Sequence, residues 1–199
     1  METFLCQDGC CSLKIKPYVA KDLVYENFHV RRKKSGVFIC DPITNKVLIV
    51  QSRGHLWGPP KGTMEENETD SECAVREVME ETGLDISKES LTTSFAVYNK
   101  ATYFYLEMNE CDVSVQEKDP KNDANGIGWI KIECLEKCIE IGNISITGHL
   151  RLLFRKLHDR NFPQPTFIVV NRKKQVSRSS IKYHSSPENL IVPLDPYSG

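Results

Sequence analysis

Gly62-Thr-Met-Glu-Glu-Asn-Glu-Thr-Asp-Ser-Glu-Cys-Ala-Val-Arg-Glu-Val-Met-Glu-Glu-Thr-Gly-Leu84 is the stretch whose reading decides the fold. Thr69, three residues before Glu72, offers a capping box at a helix start. Gly83 supplies a left-handed stop. At 100° per residue, Ala74, Val75, Val78 and Met79 are expected on one side, and Glu77, Glu80 and Glu81 on the other. Like charges three and four residues apart destabilise a helix or raise one another's pKa. A hard divalent cation removes that penalty, and oxygen-only ligands suit Mg²⁺ or Mn²⁺. A solvated acidic face is the bland alternative. The apolar stripe, the cap, the stop and Arg76 among the carboxylates together argue against it.

The stretch resembles the Nudix box, G-x5-E-x7-R-E-U-x-E-E-x-G-U with U aliphatic. All nine fixed positions are met, by Gly62, Glu68, Arg76, Glu77, Val78, Glu80, Glu81, Gly83 and Leu84. The resemblance covers roughly residues 35 to 160. It implies an α/β/α sandwich with a mixed β-sheet that hydrolyses a nucleoside diphosphate linked to another group.

Water attacks a pyrophosphate slowly, because the phosphates are charged, and metal ions relieve this. Glu77 and Glu81, one helical turn apart, are the expected metal ligands, with Glu80 alongside as ligand or catalytic group. Arg76 is expected to reach back to Glu72 or forward to Glu80 and hold the carboxylates. By resemblance, Gly62 offers its carbonyl to the metal, and Glu68 joins the metal or the groups behind it. The mRNA-decapping members of the family place a general-base glutamate six residues before a tryptophan. Counting back from Trp129 lands on Asp123, with Glu117 and Asp119 as alternatives in the same loop.

Composition bounds the rest. A chain of 199 residues with 40 % hydrophobic and 27 % charged residues suits one globular domain with appendages. A net charge of −1 gives no global pull towards nucleic acid, so any such affinity must be local. No run of eighteen apolar residues occurs, and no signal peptide is read at the start. The expectation is a cytoplasmic protein with no membrane association. The eight cysteines are therefore expected to be reduced. Cys6-x3-Cys10-Cys11 resembles half of a zinc site, and Cys134-x3-Cys138 fits one helix face. Neither has a second pair at the usual spacing, so free thiols are expected. Cys40 and Cys73 read as small core residues.

In chain order, residues 1–34 read as an arm that adds a strand or packs on the domain, ending in Arg31-Arg32-Lys33-Lys34. Gly36–Asp41 and Lys46–Gln51 read as strands joined by the turn Pro42–Asn45. Trp57-Gly58-Pro59-Pro60-Lys61-Gly62 reads as a rigid loop. Lys61 is placed to meet a phosphate. Trp57 is a candidate substrate contact, with a core position as the alternative. Strands are expected over 91–98, 101–108 and 127–132, and helices over 134–140 and 146–160. Leu150, Leu153, Phe154 and Leu157 form the last helix's apolar stripe, opposite Arg151, Arg155, Lys156 and Arg160. Residues 161–199 form a C-terminal extension rich in Pro, Ser and basic residues, with Arg172 and Lys173 among them.

Three details lean towards capped RNA as substrate, with m7GDP released. The loop resembles the Trp-Gly-Phe-Pro-Lys-Gly of decapping enzymes except at Pro59. Cys73-Ala-Val-Arg-Glu and Glu80-Glu-Thr-Gly-Leu-Asp85 are close to theirs. Arg151, Arg155, Arg172 and Lys173 offer a track for RNA phosphates. Dinucleoside polyphosphates and diphosphoinositol polyphosphates are the alternative substrates, since Pro59–Gly62 also resembles the dinucleoside tetraphosphate hydrolases. A non-catalytic binding module is a third reading, which the intact set of box glutamates disfavours.

Overall fold

A computed structural model describes residues 1–18, 32–52, 54–97, 100–116, 122 and 124–157. All fall within the first of two units, Met1–Ile168. Asp123, Glu117, Asp119, Tyr98, Arg160, Arg172 and Lys173 lie outside the described residues.

Period-two alternation builds the centre of the sheet. Strand β3 spans Lys34–Asp41 and β4 spans Lys46–Ser52. Phe38, Cys40, Val47 and Ile49 point into one core, while Val37, Ile39, Leu48 and Val50 point into a second. Both faces are thus covered, which is why these strands read as continuous apolar runs. The turn between them puts Asn45 at φ 58°, a left-handed position that asparagine tolerates.

The flanking elements are β1 (Glu2–Leu5), β2 (Ser12–Ile15), β5 (Leu56–Gly58), β6 (Lys61–Thr63), β7 (Thr93–Val97), β8 (Ala101–Glu107), β9 (Ala124–Lys131) and β10 (Ser145–Ile146). The helices are α1 (Asp70–Thr82), α2 (Ile132–Glu140) and α3 (Gly148–Leu157). Along the sheet the order is β1-β2-β9-β4-β3-β8-β7, with β5 on β4, β6 on β3 and β10 on β5. β3 and β8 run parallel, whereas β3–β4, β4–β9 and β2–β9 are antiparallel, so the sheet is mixed. Ala74 and Val78 of α1 fill one core, and Leu135, Leu150 and Leu153 of α2 and α3 fill the other. This is an α/β/α sandwich.

The N-terminal residues extend the sheet: β1 and β2 form a hairpin, and β2 pairs with β9 from Ser12 opposite Trp129 to Ile15 opposite Gly126. The loop before α1 is more regular than its glycines and prolines suggest. β5 and β6 lie within it, because the backbone on either side of Pro59-Pro60 still finds partners on β4 and β3. Trp57 is corrected here. It is 3 % exposed and packed in the α2–α3 core, so its ring is a core side chain and offers no face to a substrate.

The β3–β4 turn rests on Asp41, which is 2 % exposed. Its carboxylate accepts from the N–H of Ile43 (2.8 Å), the hydroxyl of Thr44 (2.8 Å) and the N–H of Glu110 (3.0 Å). Burial alone would push this carboxyl up, but these donors together hold it below the ordinary carboxylate value. A depressed native pKa contributes stability that is present above the unfolded value near 3.9 and lost as pH falls through the native one. Asp41→Ala is therefore expected to cost about 2–3 kcal/mol at pH 7. The gap to the wild-type chain should narrow below about pH 4 in urea titrations. A gap of constant size across that range would refute this role.

Candidate active site

Helix α1 begins where its sequence signals say. The Thr69 side chain accepts from the Glu72 N–H, and the Glu72 carboxylate accepts from the Thr69 N–H (3.0 Å), completing the capping box. Gly83 closes the helix at φ 77°, donating its N–H to Met79 O (2.9 Å). The faces differ from the expectation. Met79 is 40 % exposed, while Glu81 is 4 % exposed. Ala74, Val78 and Glu81 are spaced i, i+4, i+7, so Glu81 flanks Ala74 on one side of the apolar stripe, while Met79 falls beyond Val78 on the opposite side.

Glu77 and Glu81, one turn apart, both lie beneath the β6 segment. The backbone N–H of Lys61 donates to Glu81 Oε2 at 2.9 Å. A Cβ on Gly62 would stand only 1.9 Å from the Glu77 carboxyl carbon, so no residue with a side chain fits there unless Glu77 moves. The Glu77 carboxyl is largely desolvated, which pushes its pKa up; Arg76 opposes that shift and Glu80 adds to it.

Arg76 organises the acids. Its Nε and Nη2 grip Glu68 in a bidentate pair (2.8 and 3.0 Å), and Nη1 reaches Glu77 (3.0 Å) and Glu80 (2.9 Å). Nη2 also donates to Thr63 O at 3.1 Å. The hydrogen bonds from Arg76 hold the Glu68 carboxyl below its usual range. Of the two expected reaches, only the one to Glu80 is made. Glu72 is instead taken by its own cap and by Lys88 (2.8 Å).

Two residues beside the acids carry no sequence motif. Tyr103, fully buried, shares a hydrogen bond of 2.9 Å with His149 Nδ1. Burial pushes the Tyr103 phenol well above its ordinary pKa, and the Glu81 carboxylate adds to that. Burial lowers the His149 pKa, and the charges of Lys61, Lys34 and Lys100 lower it further. The Tyr103–His149 pair thus feels the Glu81 carboxylate at one end and three lysines at the other. Tyr103 reads in the sequence as one of several strand aromatics. His149 gives no signal there, since only the contact with β8 brings it to the acids.

A profile described as the NUDIX domain matches residues 30–147. The chain belongs to the NUDIX family. It is 36 % identical over 143 residues to the 111R protein of Invertebrate iridescent virus 3, a suspected hydrolase by its name, covering 67 % of this chain and 80 % of that one. It is 28 % identical over 130 residues to mRNA-decapping enzyme subunit 2 of Arabidopsis thaliana, covering 61 % of this chain but only 35 % of that protein. In fold it is similar to DR0079 from Deinococcus radiodurans, with a TM-score of 0.51 and 19 % identity over 73 % of this chain and 98 % of the other.

The carboxylates of this Nudix hydrolase fit a hard divalent cation. The donors are all oxygens, and one of them is a desolvated glutamate whose burial calls for positive charge, seated in the space that a Cβ at Gly62 would take. Mg²⁺ at a hundred times its Kd is expected to stabilise the protein by about 2.7 kcal/mol. Glu77→Gln and Glu81→Gln should lose most of that gain in thermal melts. Gly62→Ala should keep its circular dichroism spectrum yet lose about 100-fold or more in turnover, as displaced catalytic groups do. Full activity in Gly62→Ala would refute the packing argument.

Proposed function

We propose that this Nudix pyrophosphohydrolase cleaves the 5′ cap of RNA, releasing m7GDP, and does so in the cytoplasm. The observation that carries the reading is the course of α3. The helix begins with His149 hydrogen-bonded to Tyr103, whose phenol feels the Glu81 carboxylate. It then carries Arg151 and Arg155, one turn apart and exposed, with Lys156 beside them. A long polyanion whose first pyrophosphate lies at the acids would find its next phosphates on that face. Arg172 and Lys173, outside the described residues, are further basic candidates for phosphate contact. The likeness to a plant protein named as a decapping subunit supports the same reading.

In this reading Glu77, Glu81 and the Gly62 carbonyl, with Glu80 and Glu68 alongside, would hold Mg²⁺ or Mn²⁺, which would supply neutralisation of phosphate charge and a more acidic water. The chain's own groups do the rest. The Lys61 amide fixes the Glu81 carboxylate, and the Lys61 ammonium binds a phosphate oxygen. Arg76 keeps Glu68, Glu77 and Glu80 from drifting apart. Asp123 serves as the general base. Asn122, its chain neighbour, donates to the Glu80 carbonyl at 2.7 Å, which ties the preceding residue to the end of α1.

Cap-labelled RNA, free cap dinucleotide and dinucleoside tetraphosphate, each incubated with Mg²⁺, form the test. Capped RNA should be cleaved fastest, and cleavage of the small dinucleotides alone would hand the site to the polyphosphate reading. Neutralising Arg151 and Arg155 together should flatten the log–log salt slope for long RNA by roughly 1.4 while sparing the dinucleotides. Asp123→Asn should lower kcat by roughly ten- to a thousandfold with metal affinity intact. A silent Asp123→Asn would move the base to Glu80.

A further inference from the structure

Away from the carboxylate cluster, four sulfurs converge from three separate pieces of chain. Cys6 follows β1 directly, Cys10 and Cys11 come just before β2, and Cys134 lies in the first turn of α2. Their ligand atoms all lie within 4.8 Å of one another. Cys10 Sγ is 3.6 Å from Cys6 Sγ, 3.6 Å from Cys11 Sγ and 3.4 Å from Cys134 Sγ. With Zn–S bonds of about 2.3 Å, a tetrahedral zinc sets its four sulfurs about 3.8 Å apart. The three spacings from Cys10 are within a few tenths of an ångström of that edge, and the others are no longer than 4.8 Å.

We propose that Cys6, Cys10, Cys11 and Cys134 bind one Zn²⁺ as a structural four-thiolate site that clamps the N-terminal hairpin to α2.

The surroundings are those of a thiolate site. Backbone N–H groups donate to sulfur twice, from Cys11 to Cys6 Sγ and from Lys131 to Cys11 Sγ, each at 3.3 Å. Such outer hydrogen bonds orient metal ligands and stabilise their charge. The turn that brings the first three sulfurs together is fixed by backbone bonds from Cys6 N to Cys11 O (3.0 Å) and from Gly9 N to Cys6 O (2.9 Å), with Gly9 at φ 66°. On binding, the four thiols release their protons to solvent and four Zn–S bonds form, leaving a net charge of −2. Lys46 and Lys137 are close enough to interact with these sulfurs, and Lys137 also pairs with Asp8 of the same turn at 2.9 Å.

Paired disulfides would be the competing chemistry. They would need an oxidant and would not require four sulfurs to meet at one point. Zinc does require it, and it also supplies what the hairpin lacks. β1 is largely exposed, and a two-stranded hairpin is marginal by itself. A metal shared with α2 turns metal affinity into folding free energy for that edge of the sheet.

The full chain, isolated under reducing conditions and dialysed against zinc-free buffer containing Mg²⁺, should retain one zinc per chain by elemental mass spectrometry. A mercurial thiol reagent should release it. Co²⁺ exchanged into the site should show the intense visible bands of a tetrahedral sulfur-ligated ion. Cys10→Ser and Cys134→Ser should each weaken zinc binding by more than about 100-fold, beyond the loss that outer-shell changes cause. Cys138→Ser and Cys73→Ser should leave it unchanged. A wild-type chain that holds no zinc would overturn the proposal, as would undiminished binding in Cys10→Ser and Cys134→Ser. So would an octahedral Co²⁺ spectrum, which needs no variant to fold.

Discussion

The guanidinium of Arg76 is the constraint on which the active site depends. An arginine has five N–H donors in a planar fork. Here they meet both oxygens of Glu68, one oxygen each of Glu77 and Glu80, and the carbonyl of Thr63. Three carboxylates are thereby held close together on and beside one helix, an arrangement that like-charge repulsion would otherwise open. A lysine carries three donors and no plane, so it could not serve this many acceptors at once. The Thr63 contact matters as much as the acids, since it fastens α1 to β6. β6 in turn carries the Lys61 amide that orients Glu81 and the glycine that admits Glu77.

Placing two glutamates against the sheet has an energetic cost that the rest of the fold offsets. Glu77 is largely desolvated and Glu81 is almost fully buried, and a buried charge without compensation is destabilising. The compensation is distributed. Ala74 and Val78, on the same helix face, are completely buried in a core that includes Val37, Ile39, Leu48 and Ile127. The capping box contributes about 1 kcal/mol at the helix start. A second core on the opposite face, under α2 and α3, keeps the sheet from depending on the catalytic side alone. The acids are thus carried on a scaffold whose stability is generated elsewhere, which suits a site that has to bind a cation and a polyanion in turn.

Much of this was legible in the residues, and the misreadings have physical causes. The cap at Thr69, the stop at Gly83 and the central strands follow from local rules, and all are found. The helix faces were blurred because an acid at the edge of an apolar stripe reads as polar. Glu81 at position i+7 from Ala74 nevertheless turns inward, where a backbone amide waits for it. Trp57 in a glycine- and proline-rich loop looks like a ligand contact. Its burial became visible only once β5 was seen to pair with β4 on one side and β10 on the other. Tyr103 reads as one of several strand aromatics, yet its ring is fully buried, stacked on Phe95 with centroids 6.2 Å apart and meeting His149 edge-on.

By itself the sequence determined the catalytic helix, its caps, the acids on it and the layered α/β class. Each of these depends on residues within about two turns or one hairpin of one another, where spacing dictates geometry. Tertiary structure alone decided which acid turns inward, that His149 pairs with Tyr103, and that Cys10 meets Cys134 across 124 positions of chain. Those meetings are set by strand order and by which helix covers which face. No local period encodes them, because the free energy that selects them comes from closing the whole core.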